Sequence, residues 1–155
     1  MMRPYYLIAA LAILADQTAK ALVLALMKPG QSFPLVQNIL HLTYVRNTGA
    51  AFGMFQGSNA LLIGAAALAA LFLLYAMRRI PQEKVYYRVG LILVLSGSAG
   101  NIIDRVFRGF VVDMIDFRFF PVFNLADVCI NLGVATIVAA YIIGKSMQKH
   151  ARVSQ

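Results

Sequence analysis

The chain has 155 residues, of which 61% are hydrophobic, and its mean hydropathy is +0.74. This apolar content excludes a soluble globular enzyme or binding module, which could not keep so many apolar side chains out of water. The formal charge of +8 does not indicate a nucleic-acid partner. The basic residues are distributed in the manner of a membrane topology and form no cluster on a soluble face.

Four apolar segments are predicted to cross a membrane as helices. They cover residues 5–27, 60–77, 85–103 and 125–144. Each is close to the roughly 20 residues that a helix needs to cross about 30 Å of hydrocarbon. The first segment is expected to be retained and not cleaved as a signal peptide, because Asp16, Gln17 and Lys20 interrupt its apolar run. The expected fold is therefore an all-α membrane protein, a four-transmembrane-helix bundle in which residues 1–155 form one domain.

The positions of the basic residues predict how the bundle is oriented. Most of them lie before the first segment, between the second and third segments or in the first turn of the third, or after the fourth: Arg3, Arg78, Arg79, Lys84, Arg88, Lys145, Lys149 and Arg152. Because cytoplasmic loops of membrane proteins are enriched in Lys and Arg, these three places, and with them both termini, are expected to face the cytoplasm. The long connections, residues 28–59 and 104–124, would then lie on the outer side.

The two outer connections differ in character. Residues 39–45 are β-branched and aromatic with partial alternation, so a strand or two is expected within an extracytoplasmic β region of about residues 31–57. The polar, small-residue turn at residues 46–53 is equally compatible with a plain hairpin and with a turn that contacts substrate. Residues 109–121 are too few and too aromatic for a soluble domain, and they predict a short loop at the membrane surface.

Polar residues within the spans are spaced so that they can meet. Asp16 and Lys20 are four residues apart on one face of the first helix, where an ion pair would reduce the cost of burying both charges. Asn101, Asp104 and Arg105 share a face at the outer end of the third helix, and an ion pair between Asp104 and Arg105 is expected there. In both places the expected role is structural.

The fourth span begins with a capping signal. Asn124 stands three residues before Asp127 and immediately before an apolar run, which is typical of an N-cap residue followed by an acidic residue at the third helical position. In this interpretation Asp127 is a capping carboxylate that the helix dipole stabilises.

Neighbouring charges divide the aspartates between the third and fourth spans. Asp104 has a basic neighbour in sequence and Asp116 has Arg118 two positions away, so a cation would hold each carboxylate ionised and occupied. Asp113 and Asp127 have no basic residue within four positions. Brought together at an apolar boundary, these two carboxylates would share a proton, one acting as general base on a water and the other as general acid. Two independent structural aspartates remain the alternative, because the sequence does not show that they meet.

Cysteine and histidine supply no metal or nucleophilic site. Cys129 is the single cysteine and is expected to be a small, buried apolar side chain. His41 and His150 lie too far apart for a helical pair of metal ligands. A zinc peptidase and a Ser-His-Asp hydrolase are therefore not expected, and neither is a metal or any other cofactor.

Five short boxes of polar and small residues occur along nearly the whole chain. They are Asp16-Gln-Thr-Ala-Lys20, Asn47-Thr-Gly-Ala-Ala-Phe52, Gly97-Ser-Ala-Gly-Asn-Ile-Ile-Asp-Arg105, Val111-Val-Asp113 and Phe123-Asn-Leu-Ala-Asp127. In this order, and with four spans, the chain resembles lipoprotein signal peptidase, also called signal peptidase II, a family of bacterial intramembrane aspartyl proteases. It departs from the family pattern in having Ser96 before Gly97, where the family commonly has two glycines.

The resemblance implies removal of the signal peptide from prolipoproteins, by a cut on the N-terminal side of the cysteine that bears diacylglyceryl. It implies that Asp113 and Asp127 are the catalytic dyad, the same pair that the neighbouring charges single out. Further positions are expected to bind substrate or brace the site: Asn47, Gly49, Asn101, Asp104, Arg105, Asn124, Asp16 and Lys20. The expected location is the bacterial cytoplasmic membrane, with the active site near the outer leaflet and the protein a monomer in contact with membrane lipid.

A small proton-coupled membrane transporter is the alternative from another class, with Asp16, Lys20 and Asp127 as its proton relay. Against it, the sequence has no visible inverted repeat, and its acidic residues gather on one side of the membrane. Within the dyad, Asp127 is expected to ionise first because a helix N-terminus favours the anion, which leaves Asp113 as the protonated acid.

Overall fold

The described part of the chain forms four long helices and one three-stranded sheet. The structure is a computed structural model that describes residues 3–49, 55 and 57–153, with the backbone alone described for residues 3 and 148–153. The helices are α1 (Arg3–Leu26), α2 (Asn59–Arg79), α3 (Val85–Arg108) and α4 (Leu125–Val153), and the strands are β1 (Ser32–Val36), β2 (Leu40–Asn47) and β3 (Val111–Asp116). The small-residue turn predicted at residues 46–53 lies partly outside the described residues.

All four helices are long and apolar enough to cross a membrane, so the predicted four-span architecture is confirmed. Their outward surfaces carry large apolar side chains: on α2, Leu68, Leu71 and Phe72 are 63% to 70% exposed. Such a surface suits hydrocarbon, in which helices also satisfy all their own backbone hydrogen bonds. The last helix continues to Val153, beyond the predicted end at residue 144.

The third helix is also longer than predicted. It runs to Arg108, whereas the apolar pattern predicted an end at residue 103. It ends at Gly109, whose φ of 79° lies in the left-handed region that glycine adopts without strain, and whose N–H donates to the Arg105 carbonyl oxygen at 3.2 Å. Asp104 and Arg105 therefore lie in the last turns of a helix and not in the outer connection.

The sheet has the strand order β1-β2-β3, with both pairs antiparallel. Strands β1 and β2 form a hairpin within the region where the sequence predicted β structure. The third strand comes from the second outer connection, so the prediction of a surface loop is wrong for Val111–Asp116. Val111 and Val112 are buried at 2% and 0% exposure, and only the aromatic stretch that follows, with Phe119 at 84%, is a surface loop.

The sheet packs against the C-terminal end of α1. One apolar cluster joins the two elements and contains Val23, Met27, Tyr44, Val112 and Met114. Because side chains alternate along a strand, placing Val112 and Met114 in this cluster turns Asp113 to the opposite face of β3. The packing of the strand thus decides where its central aspartate points.

Glycines let α3 and α4 pack with their backbones almost in contact. A Cβ on Gly97 would lie 2.2 Å from the carbonyl oxygen of Ala126, and a Cβ on Gly133 would lie 2.5 Å from that of Gly90. Both distances are shorter than real Cβ atoms tolerate, so only glycine fits at these contacts. The close approach sets the first turn of α4 directly against α3.

Replacing Gly97 by Ala is expected to destabilise the bundle by at least about 1–3 kcal/mol, the range typical of overpacking, because the clash is with backbone atoms that cannot rotate away. Gly64→Ala is the matched control, since a Cβ at Gly64 in α2 meets nothing within 4 Å. Thermal unfolding in detergent measures both variants. Equal melting temperatures for the two would contradict the close contact between α3 and α4.

Candidate active site

The carboxylate of Asp127 lies in the first turn of α4, in the capping arrangement that the sequence predicts. The Asp127 N–H donates to Asn124 Oδ1 at 3.0 Å, and the Asn124 N–H donates to Asp127 Oδ2 at 3.3 Å. This reciprocal pair satisfies N–H groups that have no partner within the helix. The other carboxylate oxygen, Oδ1, accepts a hydrogen bond from Asn101 Nδ2 at 2.8 Å.

Asp113 reaches the same place from the sheet. It lies opposite Val45 in the ladder between β2 and β3, and its side chain is buried. Each of its oxygens accepts an amide hydrogen bond, Oδ2 from Asn47 Nδ2 at 2.9 Å and Oδ1 from Asn124 Nδ2 at 2.7 Å. Asn124 therefore bonds to both Asp113 and Asp127, and the two aspartates that the sequence could not show to meet share one partner.

Neither of these two carboxylates has a cationic partner in the part of the chain that the structure describes. The ion pairs found there involve Asp16, Asp104 and Asp116 instead. The inference from neighbouring charges, that Asp113 and Asp127 are unpaired, agrees with these contacts. Their hydrogen-bond donors are neutral amides and backbone N–H groups, which solvate a carboxylate without neutralising it.

Asp16, Lys20 and Asp104 form a buried ion cluster beside the site. Lys20 Nζ lies 2.8 Å from Asp16 Oδ2 and 3.1 Å from Asp104 Oδ2, and the three side chains are at most 1% exposed. The predicted ion pair between Asp16 and Lys20 is therefore confirmed. Its burial makes the pairing obligatory, because an isolated ion in such a place would be strongly destabilising.

Each carboxylate of this cluster also holds the backbone next to one of the unpaired aspartates. Asp16 Oδ1 accepts the Ala126 N–H at 2.9 Å, and Asp104 Oδ2 accepts the Val112 N–H at 3.0 Å. Ala126 and Val112 directly precede the two unpaired aspartates in sequence. The ion cluster thus positions β3 and the start of α4 at the same time.

The predicted ion pair between Asp104 and Arg105 is not formed. Asp104 pairs with Lys20 and with Arg108 Nη1. Adjacent helical residues point about 100° apart, whereas residues four apart share a face. Arg105 turns to the other side and donates from Nη2 to the carbonyl oxygen of Gly49 at 2.9 Å. Sequence reasoning missed Arg108, although its spacing of four from Asp104 is a visible signal.

Gln17 is a second residue that sequence reasoning missed. Its Nε2 donates to the Gly100 carbonyl oxygen and to Asp104 Oδ1, both at 3.1 Å, while its Oε1 accepts from Arg108 Nη1 at 3.0 Å. The amide thus fills the space between α1 and α3 with satisfied hydrogen bonds. Its place inside the first sequence box is the only signal that the sequence offers for it.

Asp116 stands apart from this network. It accepts a hydrogen bond from Thr43 Oγ1 at 2.7 Å and forms an ion pair with Arg118 Nη1 at 3.1 Å, as predicted. Burial would raise the pKa of Asp116, but the bonds from Thr43 and Arg118 outweigh it and lower that pKa below the ordinary value. Asp116 is three residues from Asp113, so the two side chains leave β3 on opposite faces.

Comparison with known proteins decides the family. The family model described as signal peptidase (SPase) II matches residues 8–143. The chain belongs to the signal peptidase II family. Two lipoprotein signal peptidases, from Moorella thermoacetica and Clostridioides difficile, are 41% and 44% identical to this chain over 131 residues each. These matches cover 84% and 83% of this chain and 87% and 88% of the relatives.

Two solved structures have the same fold as this chain. A bacterial membrane enzyme determined by the in meso method at 2.3 Å resolution is 33% identical, with a TM-score of 0.89, over 94% of this chain and 92% of that one. A second, at 1.9 Å resolution, gives a TM-score of 0.84 at 33% identity.

Burial controls the protonation of the strand aspartate, Asp113. It raises the pKa of Asp113 to about 6, although the hydrogen bonds from Asn47 and Asn124 oppose the rise. The charge of Asp127 adds to the rise, and that of Lys20 reduces it. Asp113 therefore exchanges its proton near neutral pH and not in the acidic range of an ordinary carboxyl group.

The raised pKa of Asp113 makes the stability of the folded chain depend on pH. A carboxyl group whose pKa is higher in the folded than in the unfolded state stabilises the fold fully below the unfolded pKa, and this contribution is lost as pH rises through the folded pKa. Here the two values are 3.8 and about 6. We expect this group to account for a loss of up to about 3 kcal/mol between about pH 4 and pH 7.

Melting temperatures in detergent, measured across this pH range, test the expectation. Asp113→Asn cannot ionise and should lose this part of the pH dependence. Asp116→Asn is the control and should keep it, because the lowered pKa of Asp116 lies below the range. If the melting temperature of Asp113→Asn changed with pH as steeply as that of the wild type, the expectation would be contradicted.

Proposed function

We propose that this chain is an aspartic endopeptidase that removes the signal peptide from diacylglyceryl-modified prolipoproteins, cutting before the lipid-modified cysteine. The observation that carries the proposal is the joining of Asp113 and Asp127 through Asn124, with no cation bonded to either carboxylate in the described part of the chain. Membership in the signal peptidase II family, and relatives named lipoprotein signal peptidase, support the substrate class.

In this proposal Asp127 is the general base and Asp113 is the general acid. Asp127 lies at the N-terminus of α4, where the helix dipole favours an anion, and it accepts hydrogen bonds on both oxygens. Asp113 is more deeply buried, and its pKa of about 6 makes the protonated form accessible.

The reaction then needs one water, and the substrate forms no covalent bond to the enzyme. The water gives a proton to Asp127 while its oxygen attacks the carbonyl carbon of the residue before the cysteine, and Asp113 gives its proton to the carbonyl oxygen. When the tetrahedral diol collapses, the carbon–nitrogen bond breaks, the departing amine takes the proton from Asp127, and a diol hydroxyl returns a proton to Asp113. After one turnover Asp113 is again protonated and Asp127 is again ionised.

The remaining polar residues are proposed to position this pair. Asp16, Lys20 and Asp104 brace the backbone beside it, and the asparagines that bond to it, at positions 47, 101 and 124, orient its carboxylates. Arg105 bonds to the carbonyl oxygen of Gly49 and is proposed to shape the turn that contacts substrate.

The active site is proposed to face the outer leaflet of a bacterial cytoplasmic membrane. The sheet, the end of α3 and the start of α4 meet at one end of the bundle, whereas the basic loop with Arg78, Arg79 and Lys84 is at the other. The positive-inside rule places that loop, and both ends of the described chain, in the cytoplasm. Residues 1–155 would act as a single domain and as a monomer, with lipid and a prolipoprotein signal peptide as partners.

The transporter alternative has no comparable support. Its relay would need Asp16 and Lys20 to exchange protons with water, but both are buried and bonded to each other. The family is one of peptidases.

Substitution of either dyad aspartate tests the mechanism. Asp113→Asn and Asp127→Asn should each lower cleavage by at least about 100-fold, because general acid or base catalysis is lost. Asp116→Asn is the matched control in the same strand and should keep most activity. The assay incubates purified protein with a diacylglyceryl-modified prolipoprotein and follows the gel shift. Cleavage that survives either dyad substitution would remove that residue from the mechanism, and no cleavage by the wild type would reject the function.

Metal chelators are expected to leave the cleavage rate unchanged, because the proposal assigns water activation to the two carboxylates. No group of three or more His, Cys, Asp or Glu side chains within the described ranges is arranged to hold a metal ion. Rates measured with and without chelator in the same gel-shift assay check this. Loss of activity on chelation, restored by adding a divalent cation, would contradict the carboxylate mechanism.

A further inference from the structure

Lys20 has a third contact, which reaches the active site. Its Nζ lies 3.0 Å from Asn101 Oδ1, and the Nδ2 of the same amide lies 2.8 Å from Asp127 Oδ1. Two consecutive hydrogen bonds therefore connect α1, through α3, to the first turn of α4. Lys20 is 0% exposed, so water does not compete for its N–H donors.

The chemistry of these groups dictates which way the amide faces. An ammonium group has three donors and no acceptor, so only the oxygen of the Asn101 amide can face Lys20. The amide nitrogen must then point to the opposite side, toward Asp127. The other donor to Asn101 Oδ1 is Asn124 Nδ2 at 3.2 Å, a neutral amide that is also bonded to Asp113 at 2.7 Å. A charged donor makes the stronger bond, so Lys20 is the group that holds this orientation.

Asp113 and Asp127 differ in what holds the side-chain amides that donate hydrogen bonds to them. The amides that donate to Asp113 are held by neutral backbone groups: Asn47 Oδ1 accepts the Gly49 N–H at 2.9 Å, and Asn124 Oδ1 accepts the Asp127 N–H at 3.0 Å. The side-chain amide that donates to Asp127 is held by a cation. A cation behind the donor polarises the amide and stabilises negative charge at the far end of the chain of bonds.

We infer that Lys20 is a positioning residue that orients the Asn101 amide toward Asp127 and so places the negative charge of the pair on Asp127 and not on Asp113. Lys20 bonds to neither the Asp113 nor the Asp127 carboxylate, and it acts on Asp127 through Asn101. The consequence for catalysis, that Asp127 is the general base, rests on the proposed peptidase function. The orientation of the amide and the site of the charge do not.

A test must separate this role from the structural role of Lys20 between two carboxylates. Removing Lys20 alone would leave two buried anions with one cation fewer, which destabilises the fold for unrelated reasons. The double variant Asp16→Asn/Lys20→Met removes one charge of each sign. An Asn at position 16 can still accept the Ala126 N–H, and Asp104 keeps its ion pair with Arg108.

The matched control is Asp16→Asn/Arg108→Met. It also removes one anion and one cation from the same cluster, but it keeps the contact between Lys20 and Asn101. A third variant, Asp16→Asn/Lys20→Gln, restores a neutral N–H donor at the position of the ammonium. Each of the three variants thus loses one anion and one cation and keeps one ion pair to Asp104, and they differ in what faces the Asn101 oxygen.

The first readout is the pH profile of prolipoprotein cleavage. Asp16→Asn/Lys20→Met should keep KM, lower kcat on the order of 10-fold, and move the acid limb of kcat upward by about one pH unit. The Arg108 control should keep the wild-type limb, and the Gln variant should fall between the two. If Lys20 had a purely structural role, the acid limbs of the kcat profiles would coincide for Asp16→Asn/Lys20→Met and Asp16→Asn/Arg108→Met. That result would overturn the inference.

The second readout does not depend on activity. Wild-type protein labelled with ¹⁵N at asparagine is titrated by NMR, and the Asn101 side-chain signal is identified by its absence in Asn101→Ser. One amide orientation, with a signal that follows an ionisation through the pH range, is expected. Two orientations in exchange, or a signal that does not respond to pH, would overturn the inference even if the wild type cleaves prolipoprotein. The expected signal in a protein that cleaves nothing would reject the proposed function alone.

Discussion

The ammonium of Lys20, buried between the carboxylates of Asp16 and Asp104, is the interaction on which the rest of the structure depends. Removing such ions from water costs on the order of several kcal/mol for each. The cluster tolerates that cost because Arg108 supplies a second cation and backbone N–H groups bond to the remaining acceptor positions. Those N–H groups belong to Val112 and Ala126, the residues just before Asp113 and Asp127. The need to satisfy buried charge therefore also fixes the spacing between strand β3 and helix α4.

The buried aspartates fall into two kinds, and the difference between them is chemical. Asp16 and Asp104 bond to cations, which neutralise the charge of each carboxylate. Asp113 and Asp127 bond to amides and backbone N–H groups, which orient a carboxylate but do not neutralise it. Burial then makes the charged form of Asp113 costly, and its pKa rises to about 6. The proposed mechanism therefore assigns proton exchange with a substrate and a water to carboxylates of the second kind.

The small sheet supplies the membrane bundle with an element that has one apolar face and one face that carries Asp113. A strand alternates its side chains, so β3 packs Val112 and Met114 against α1 with one face and presents Asp113 with the other. Pairing with β2 also satisfies the strand's backbone polar groups, which cannot be left unpaired beside hydrocarbon. On the other side of the site, the absence of a side chain at Gly97 lets α4 approach until its capped first turn reaches α3.

The sequence alone determined those features that depend on neighbours along the chain. Hydropathy located four spans, the spacing of three between Asn124 and Asp127 predicted the capping box, and the spacing of four between Asp16 and Lys20 predicted their ion pair. Its boxes also indicated the family and, through it, the candidate dyad. Tertiary structure decided what depends on distant segments. Asn47 bonds to Asp113 across 66 residues, and β3 became a buried strand because β2 was available to pair with it. Asp104 forms ion pairs with Lys20 and Arg108 and not with its neighbour Arg105. Contacts in a folded chain depend on which residues share a helix face and not on adjacency in sequence.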